Sequence, residues 1–439
     1  MKQTVLTLVF FTLTLLTGFS QTIDRAKLDS YFQALETNQK FMGSVAISEN
    51  GNVIYTQSIG FADVEKQTKP NATTRYRIGS ISKTFTTTLV FKAIEEKKLK
   101  LTDKIDTWFP TIPNAAKITI GQLLSHRSGI HNFTDNEDYL KWNTQKKTEK
   151  ELTDIVAKGG SDFEPDSKAS YSNSNFVLLT FILQKVYNKD FEKLLTEKIT
   201  KPVGLKNTIV GKTINPANNE AYSYKFASSW TREPETDMSI PLGAGALVST
   251  PSDLTQFAEA LFSGKIITKE SLSQMTTIRD NFGMGLFQIP FYERIGYGHT
   301  GGIDGFTSVF AYFPQDKTTF VLTSNGSNYV NNNIMIALLS AFYNKPYEIP
   351  TFTNYEVKPE ELDVYLGVYA SKAIPLKITI TKAGKQLMAQ ATGQSAFPLE
   401  AAAKDKFKFD QAGIVLEFNP AAKTMLLKQG GQEFSFTKE

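Results

Sequence analysis

No cysteine occurs among the 439 residues. A disulfide framework, a thiol nucleophile, a lipid-modified cysteine and most zinc sites are thereby excluded, and the mature chain must rest on its hydrophobic core. Histidine is almost as scarce, with only His126, His131 and His299, so no metal site and no cofactor is expected. Blocks of like charge are also missing. The 48 basic and 44 acidic side chains are scattered along the sequence, which leaves no basic stretch to follow a phosphate backbone and argues against nucleic acid as a partner. Nor is there a long apolar run. Val5 to Leu16 falls short of the roughly 20 residues that span a bilayer, so no transmembrane segment is expected in the mature chain. With the basic start Met1-Lys2 before it and Thr17-Gly18-Phe19-Ser20 after it, the run reads as a secretory signal peptide over residues 1–20. Export to a periplasm or to the medium is expected, with cleavage near Ser20.

What is present is the ordinary balance of a soluble globular protein, 41% hydrophobic and 21% charged, over a length that calls for more than one domain. Ile23 to Gln39 carries apolar residues at helical spacing. Gly43 to Ser48 and Val53 to Ile59 flank Asn50-Gly51 and predict a β-hairpin. Helices are expected over Ile81 to Lys98, Ile120 to Leu124, Tyr139 to Gly159, Ser174 to Tyr187 and Phe191 to Ile199, and from a cap at Ser252 through Phe262. Phe306 to Phe313 and Thr318 to Leu322 read as strands around the turn Pro314 to Lys317, and Asn332 to Tyr343 as a closing helix. Strands, a largely helical middle and returning strands suit an α+β fold, one antiparallel sheet with helices against it, over residues 21–350. Past a linker at Tyr355 to Pro359 the chain turns to short alternating segments between Tyr365 and Thr437, separated by turns such as Gly430-Gly431. Their spacing of roughly 8–12 residues predicts a small antiparallel barrel or sandwich over residues 360–439.

Three local patterns carry chemistry. In Arg77-Ile78-Gly79-Ser80-Ile81-Ser82-Lys83-Thr84-Phe85, Ser80 and Lys83 stand one helical turn apart on one face. Serine needs a neighbouring base, and a lysine serves once burial lowers its pKa. The pattern alone is common by chance, and Ser80 would serve as well as a helix cap. Tyr171-Ser172-Asn173 precedes a predicted helix and sets a proton-relaying phenol beside an amide that can hold a carbonyl, although turn chemistry also accounts for Asn173. Gly298-His299-Thr300-Gly301-Gly302 opens a predicted strand on which a ligand backbone can approach closely. There the Gly302 N–H could join that of Ser80 as an oxyanion hole; a β-bulge explains the glycines equally.

In this order, and with Leu123 to Ile130, Gly245 to Leu254 and Gly298 to Gly305 alongside, the motifs resemble those of the serine β-lactamase and penicillin-binding protein superfamily over about residues 25 to 345. The likeness is to its class C branch of D,D-carboxypeptidases, D-aminopeptidases and esterases. The resemblance implies a β-lactamase/transpeptidase-like fold and an exported serine hydrolase acting on an ester, D-amino-acid amide or peptide, with peptidoglycan fragments among the candidate substrates. It makes Ser80 the acylated nucleophile, Lys83 its base and Tyr171 the relay to the leaving group. Asn173, His299, Thr300 and Gly301 become substrate ligands, and the N–H groups of Ser80 and Gly302 the oxyanion hole, without metal or cofactor. His126 is expected to be structural. Where β-lactamases carry lysine this chain has His299, mostly neutral at pH 7, which weighs against efficient β-lactam hydrolysis. The alternatives are a penicillin-binding or sensing protein that acylates with little turnover, a weak β-lactamase, and a non-catalytic wall-binding protein. The C-terminal segment resembles lipocalin-like β-barrel modules.

Overall fold

The computed structural model describes residues 23–439 except 228, 353, 354, 356, 430 and 431. The expected signal peptide and the Gly430-Gly431 turn lie outside the described residues. Six strands form one antiparallel sheet: β1 (Phe41–Glu49), β2 (Asn52–Ile59), β3 (Phe287–Phe291), β4 (Arg294–Ile303), β5 (Phe306–Phe313) and β6 (Thr318–Ser327), in the order β2-β1-β6-β5-β4-β3. Strands from the two ends of the helical middle thus meet at the centre, where Val45 lies opposite Leu322. Five helices matter for the site and its supports: α1 (Arg25–Thr37), α2 (Ser82–Glu95), α3 (Asn173–Tyr187), α4 (Pro251–Phe262) and α5 (Asn331–Phe342).

Both faces of the sheet are covered, so its central strands alternate between two cores rather than between core and water. Phe310, Tyr312 and Val321 join the core built with α2, α3 and α4. Their neighbours Ala311, Phe313, Phe320 and Leu322 join a second core with α1 and α5. Helix α2 is buried on every side from Ser82 to Phe91, and its threonines are paired inward: Thr84 donates to the Gly285 carbonyl and Thr86 to the Gly243 carbonyl. A residue on this helix is therefore held with little freedom.

Two expectations are corrected. The helix predicted over Tyr139 to Gly159 is two pieces, Tyr139–Trp142 and Glu149–Gly159, because Thr148 and Glu151 form a capping box that starts the second one afresh. Helix α4 is capped by Thr250, with Pro251 in the first turn, rather than by Ser252. Strand β3, a segment for which no element was predicted, contains Pro290 and is the sheet edge, where proline is tolerated.

The C-terminal strands close into an eight-stranded antiparallel barrel of consecutive strands from Gly367–Ala370 to Gln432–Lys438. Alternate residues, among them Ile378 and Ile380, Leu387 and Ala389, Leu416 and Phe418, fill its interior. The expected small all-β unit is thus a closed barrel. Its strand Phe397–Ala403, with Pro398 and a run of alanines, carried no clear β signal in the sequence.

Candidate active site

Ser80 lies in a 3₁₀ turn, Gly79–Ile81, that runs directly into α2. Gly79 has φ of +49° and packs so tightly that a Cβ there would stand 2.7 Å from the Gly302 nitrogen; only glycine brings Ser80 this close to strand β4. The turn is tied down by Ser82, whose hydroxyl donates to the Gly79 carbonyl and accepts from the Leu247 N–H.

One turn on, Lys83 is fully buried. Its Nζ lies 3.1 Å from Ser80 Oγ, 2.7 Å from Asn173 Oδ1 and 2.7 Å from the Ala244 carbonyl. Burial drives the amine well below the ordinary lysine value of 10.5. Two of the three neighbours can only accept. In its deprotonated form the amine can spend its two N–H groups on Asn173 and Ala244 and turn its lone pair to the Ser80 hydroxyl. The Tyr171 ring covers the amine at 4.8 Å. Burial pushes the Tyr171 phenol above its usual range, against the opposing effect of a hydrogen bond with Ser80, so the phenol keeps its proton near neutrality.

Each support comes from a segment distant in sequence. Asn173 begins α3; its N–H donates to Asn132 Oδ1 and its Nδ2 to Thr134 Oγ1, which orients Oδ1 to Lys83. His126 is buried with φ of +56°, and its Nδ1 accepts the Ser172 N–H at 3.1 Å while its ring packs against Tyr171. His126 thus shapes the turn that carries Tyr171, a packing and hydrogen-bonding part. The Ala244 carbonyl is aimed by a short turn, Leu242–Gly245, clamped between Thr86 of α2 and Thr180 of α3 through the Gly243 carbonyl and N–H. Sequence reasoning missed this carbonyl, although the run Gly243-Ala244-Gly245 marked a place where backbones meet.

Strand β4 completes the site, and period-two alternation divides its residues. His299 is buried on the helix side, with its ring against Phe287 and 6.4 Å from that of Tyr171. Its Nδ1 donates to the Thr300 carbonyl at 2.5 Å, and burial lowers its pKa to about 3. His299 is neutral across the physiological range. Gly301 sits against the Ile78 carbonyl, and Gly302 is exposed to the cleft. Past Gly298 the strand outruns its partner β3, so 299–303 is a free edge there. The structure does not bring Thr300 to the Ser80 cleft. Its side chain is exposed and, with Gly301, lines a separate apolar cavity between the sheet and α5.

The cleft itself is about 520 Å³ and contains Ser80, Asn173, Ala244 and Gly302. Its lining includes the apolar Phe133 and Leu140, Tyr139 and the charged Lys225, Glu233 and Asp304. The arrangement offers a serine hydroxyl with a buried neutral amine as base, a protonated phenol and a glycine edge, the parts that acyl transfer requires.

Residues 28–341 match the Beta-lactamase family. The chain is 25% identical to a penicillin-binding protein of Bacillus subtilis over 93% of this chain and 97% of that one. It is 29% identical to the teichoic acid D-alanine hydrolase of Staphylococcus aureus, over 73% of this chain and 79% of that protein. The crystal structure of D-amino acid amidase from Ochrobactrum anthropi superimposes with a TM-score of 0.62 at 26% identity, covering 72% of this chain and 98% of that one. With a match that spans most of the chain and a serine, lysine and tyrosine gathered under a glycine edge, the protein belongs to the Beta-lactamase family and is a serine hydrolase.

Proposed function

We propose that the protein hydrolyses D-aminoacyl esters or amides through an acyl-enzyme on Ser80. Ser80 Oγ attacks the carbonyl carbon and passes its proton to the neutral Lys83 amine, while the N–H groups of Ser80 and Gly302 stabilise the oxyanion. As the C–O or C–N bond breaks, Tyr171 gives its proton to the departing oxygen or nitrogen and is reprotonated from Lys83. Water then attacks the ester at Ser80 with the same groups working in reverse, which releases the acid and restores the hydroxyl. The observation that carries this reading is the Lys83 amine, fully buried and 3.1 Å from Ser80 Oγ, with its other two neighbours able only to accept.

The preference for esters and simple amides follows from His299. A neutral imidazole offers no cation for the carboxylate that follows the scissile bond in a stem peptide or that a β-lactam carries. The names of two relatives, a D-alanine hydrolase and a D-amino acid amidase, support the acyl group. The basic start and short apolar run of residues 1–20 support export after cleavage near Ser20, with residues 21–350 as the hydrolase domain and 360–439 as the barrel domain. Ser80→Ala tests the mechanism. It is expected to abolish both hydrolysis of activated esters and labelling by a fluorophosphonate; full residual turnover overturns it. A panel of D-alanyl esters, D-amino-acid anilides, a D-Ala-D-Ala peptide and a chromogenic cephalosporin ranks the substrates, with the first two expected to lead.

A further inference from the structure

Three acidic groups stand on the charged side of the cleft, and their commitments differ. Asp304 gives one oxygen to Arg77 at 2.9 Å and the other to the Thr236 N–H and hydroxyl. Glu235, just behind, is shared between Arg77, the Ile214 N–H and Arg232. Both are saturated. Glu233 is different: among the described residues its carboxylate meets one cation, Lys225, at 2.6 Å. That lysine side chain is 68% exposed while Glu233 is 18% exposed.

Glu233 is nevertheless fixed in place. Its N–H donates to the Ser223 carbonyl, and the Ser223 hydroxyl accepts from Gly305 N–H beside the end of β4. Pro234 follows it and restricts its backbone to extended conformations. A held carboxylate whose one partner is a flexible, hydrated lysine exchanges that partner readily, because exposed ion pairs are weak. It opens onto the same cavity as Ser80 and Gly302. The same lining includes Phe133, Tyr139 and Leu140, so a substrate cation entering the cavity meets in Glu233 the acid whose partner is an exposed lysine.

We propose that Glu233 is a specificity-determining residue that receives the free α-ammonium of the aminoacyl group, displacing Lys225, so that the enzyme takes residues with an unblocked amino group and rejects N-acylated ones. The inference rests on the acyl-transfer reading of Ser80 and adds which end of a substrate enters the cleft.

Protection of Ser80 from fluorophosphonate labelling, followed by intact mass on the full chain, tests it without requiring turnover of the competing compound. D-Alanine amide is expected to protect at concentrations ~10-fold or more below N-acetyl-D-alanine amide, the scale of a charge-assisted hydrogen bond. Glu233→Gln should collapse that ratio to near one, and Lys225→Met, which frees the carboxylate, should widen it. Equal protection in the wild type, or a ratio that survives Glu233→Gln, overturns the assignment. Labelling of the variants themselves reports that the site is folded, and Glu233→Asp, which keeps the charge, should retain part of the ratio. Wild-type protein that takes no label at Ser80 fails the acyl-transfer reading instead, so the two failures are distinct.

Discussion

At Lys83 the protonation state is decided by what surrounds the amine. Burial removes the solvation that an ammonium needs and drives the amine well below its ordinary value, while Ser80, Asn173 and Ala244 hold it in place. In the proposed mechanism Lys83 acts deprotonated, so kcat/KM should fall as pH drops through the lowered Lys83 pKa, on a limb well below the ordinary 10.5. No second limb is expected near pH 6.5, because burial holds His126 and His299 far below that value. The raised Tyr171 phenol gives no alkaline loss below pH 10. A pH–rate profile on an activated ester checks all three points. Lys83→Met, which removes the amine without burying a permanent charge, should lower kcat/KM by ~10²–10⁴. Ser80, Lys83, Tyr171 and Asn173 were legible because their side chains carry the chemistry. The Ala244 carbonyl was not, since every residue has one and only the fold aims it. His126 and Asn132 gain their parts only through contact with the Tyr171 turn.

Among the elements, β4 shows how much direction a strand adds. Gly301 and Gly302 are adjacent and chemically identical in the sequence. A Cβ at Gly301 would stand 2.0 Å from the Ile78 carbonyl oxygen and 2.5 Å from Ser308 Oγ, whereas one at Gly302 meets nothing nearer than 4.0 Å. Gly301→Ala must therefore push β4 off the turn that carries Ser80, at a cost of about 1–3 kcal/mol. Thermal unfolding should show it clearly destabilised and poorly active. Gly302→Ala should unfold near the wild-type temperature, with its change confined to kinetics in the cleft; equal loss of stability in both variants would refute the packing argument. The same strand explains why Thr300 leaves the site that its motif suggested: its neighbours His299 and Gly301 face the helices, and alternation turns Thr300 away. The break between Trp142 and Glu149 was written in the sequence as Thr148-Glu149-Lys150-Glu151, a capping-box pattern within a run of otherwise helical spacing.

Across the whole molecule, the barrel reaches the hydrolase core through few but specific contacts. Lys40, at the entrance to β1, is buried and pairs with Glu400 and Asp410 of the barrel, each at 2.9 Å. Gln411 donates to the Phe226 carbonyl at 3.4 Å and to Asn328 Oδ1 at 3.0 Å. Phe226 ends the short strand Tyr224–Phe226 that holds Lys225, so the barrel braces the charged wall of the cleft from behind. Lys40→Met leaves two carboxylates without this cation and is expected to destabilise the chain by roughly 2 kcal/mol or more, with calorimetry resolving the barrel from the core as a separate transition. Gln411→Ala should raise KM about two- to three-fold with kcat held, the scale of one neutral hydrogen bond acting at a distance. A single unchanged transition together with an unchanged KM would show that the barrel is a passive appendage.

Local pattern was enough for the hairpin at Asn50-Gly51, the helix behind Ser80, the three motifs and the all-β character of the C-terminal segment. Each is carried by local segments, where hydrophobic period and turn chemistry act. Distance in sequence hid the rest. The lowered pKa values of Lys83 and His299 and the aim of the Ala244 carbonyl depend on groups tens to hundreds of positions away. Burial and hydrogen-bond partnership are properties of the packed chain, so no stretch of sequence states them.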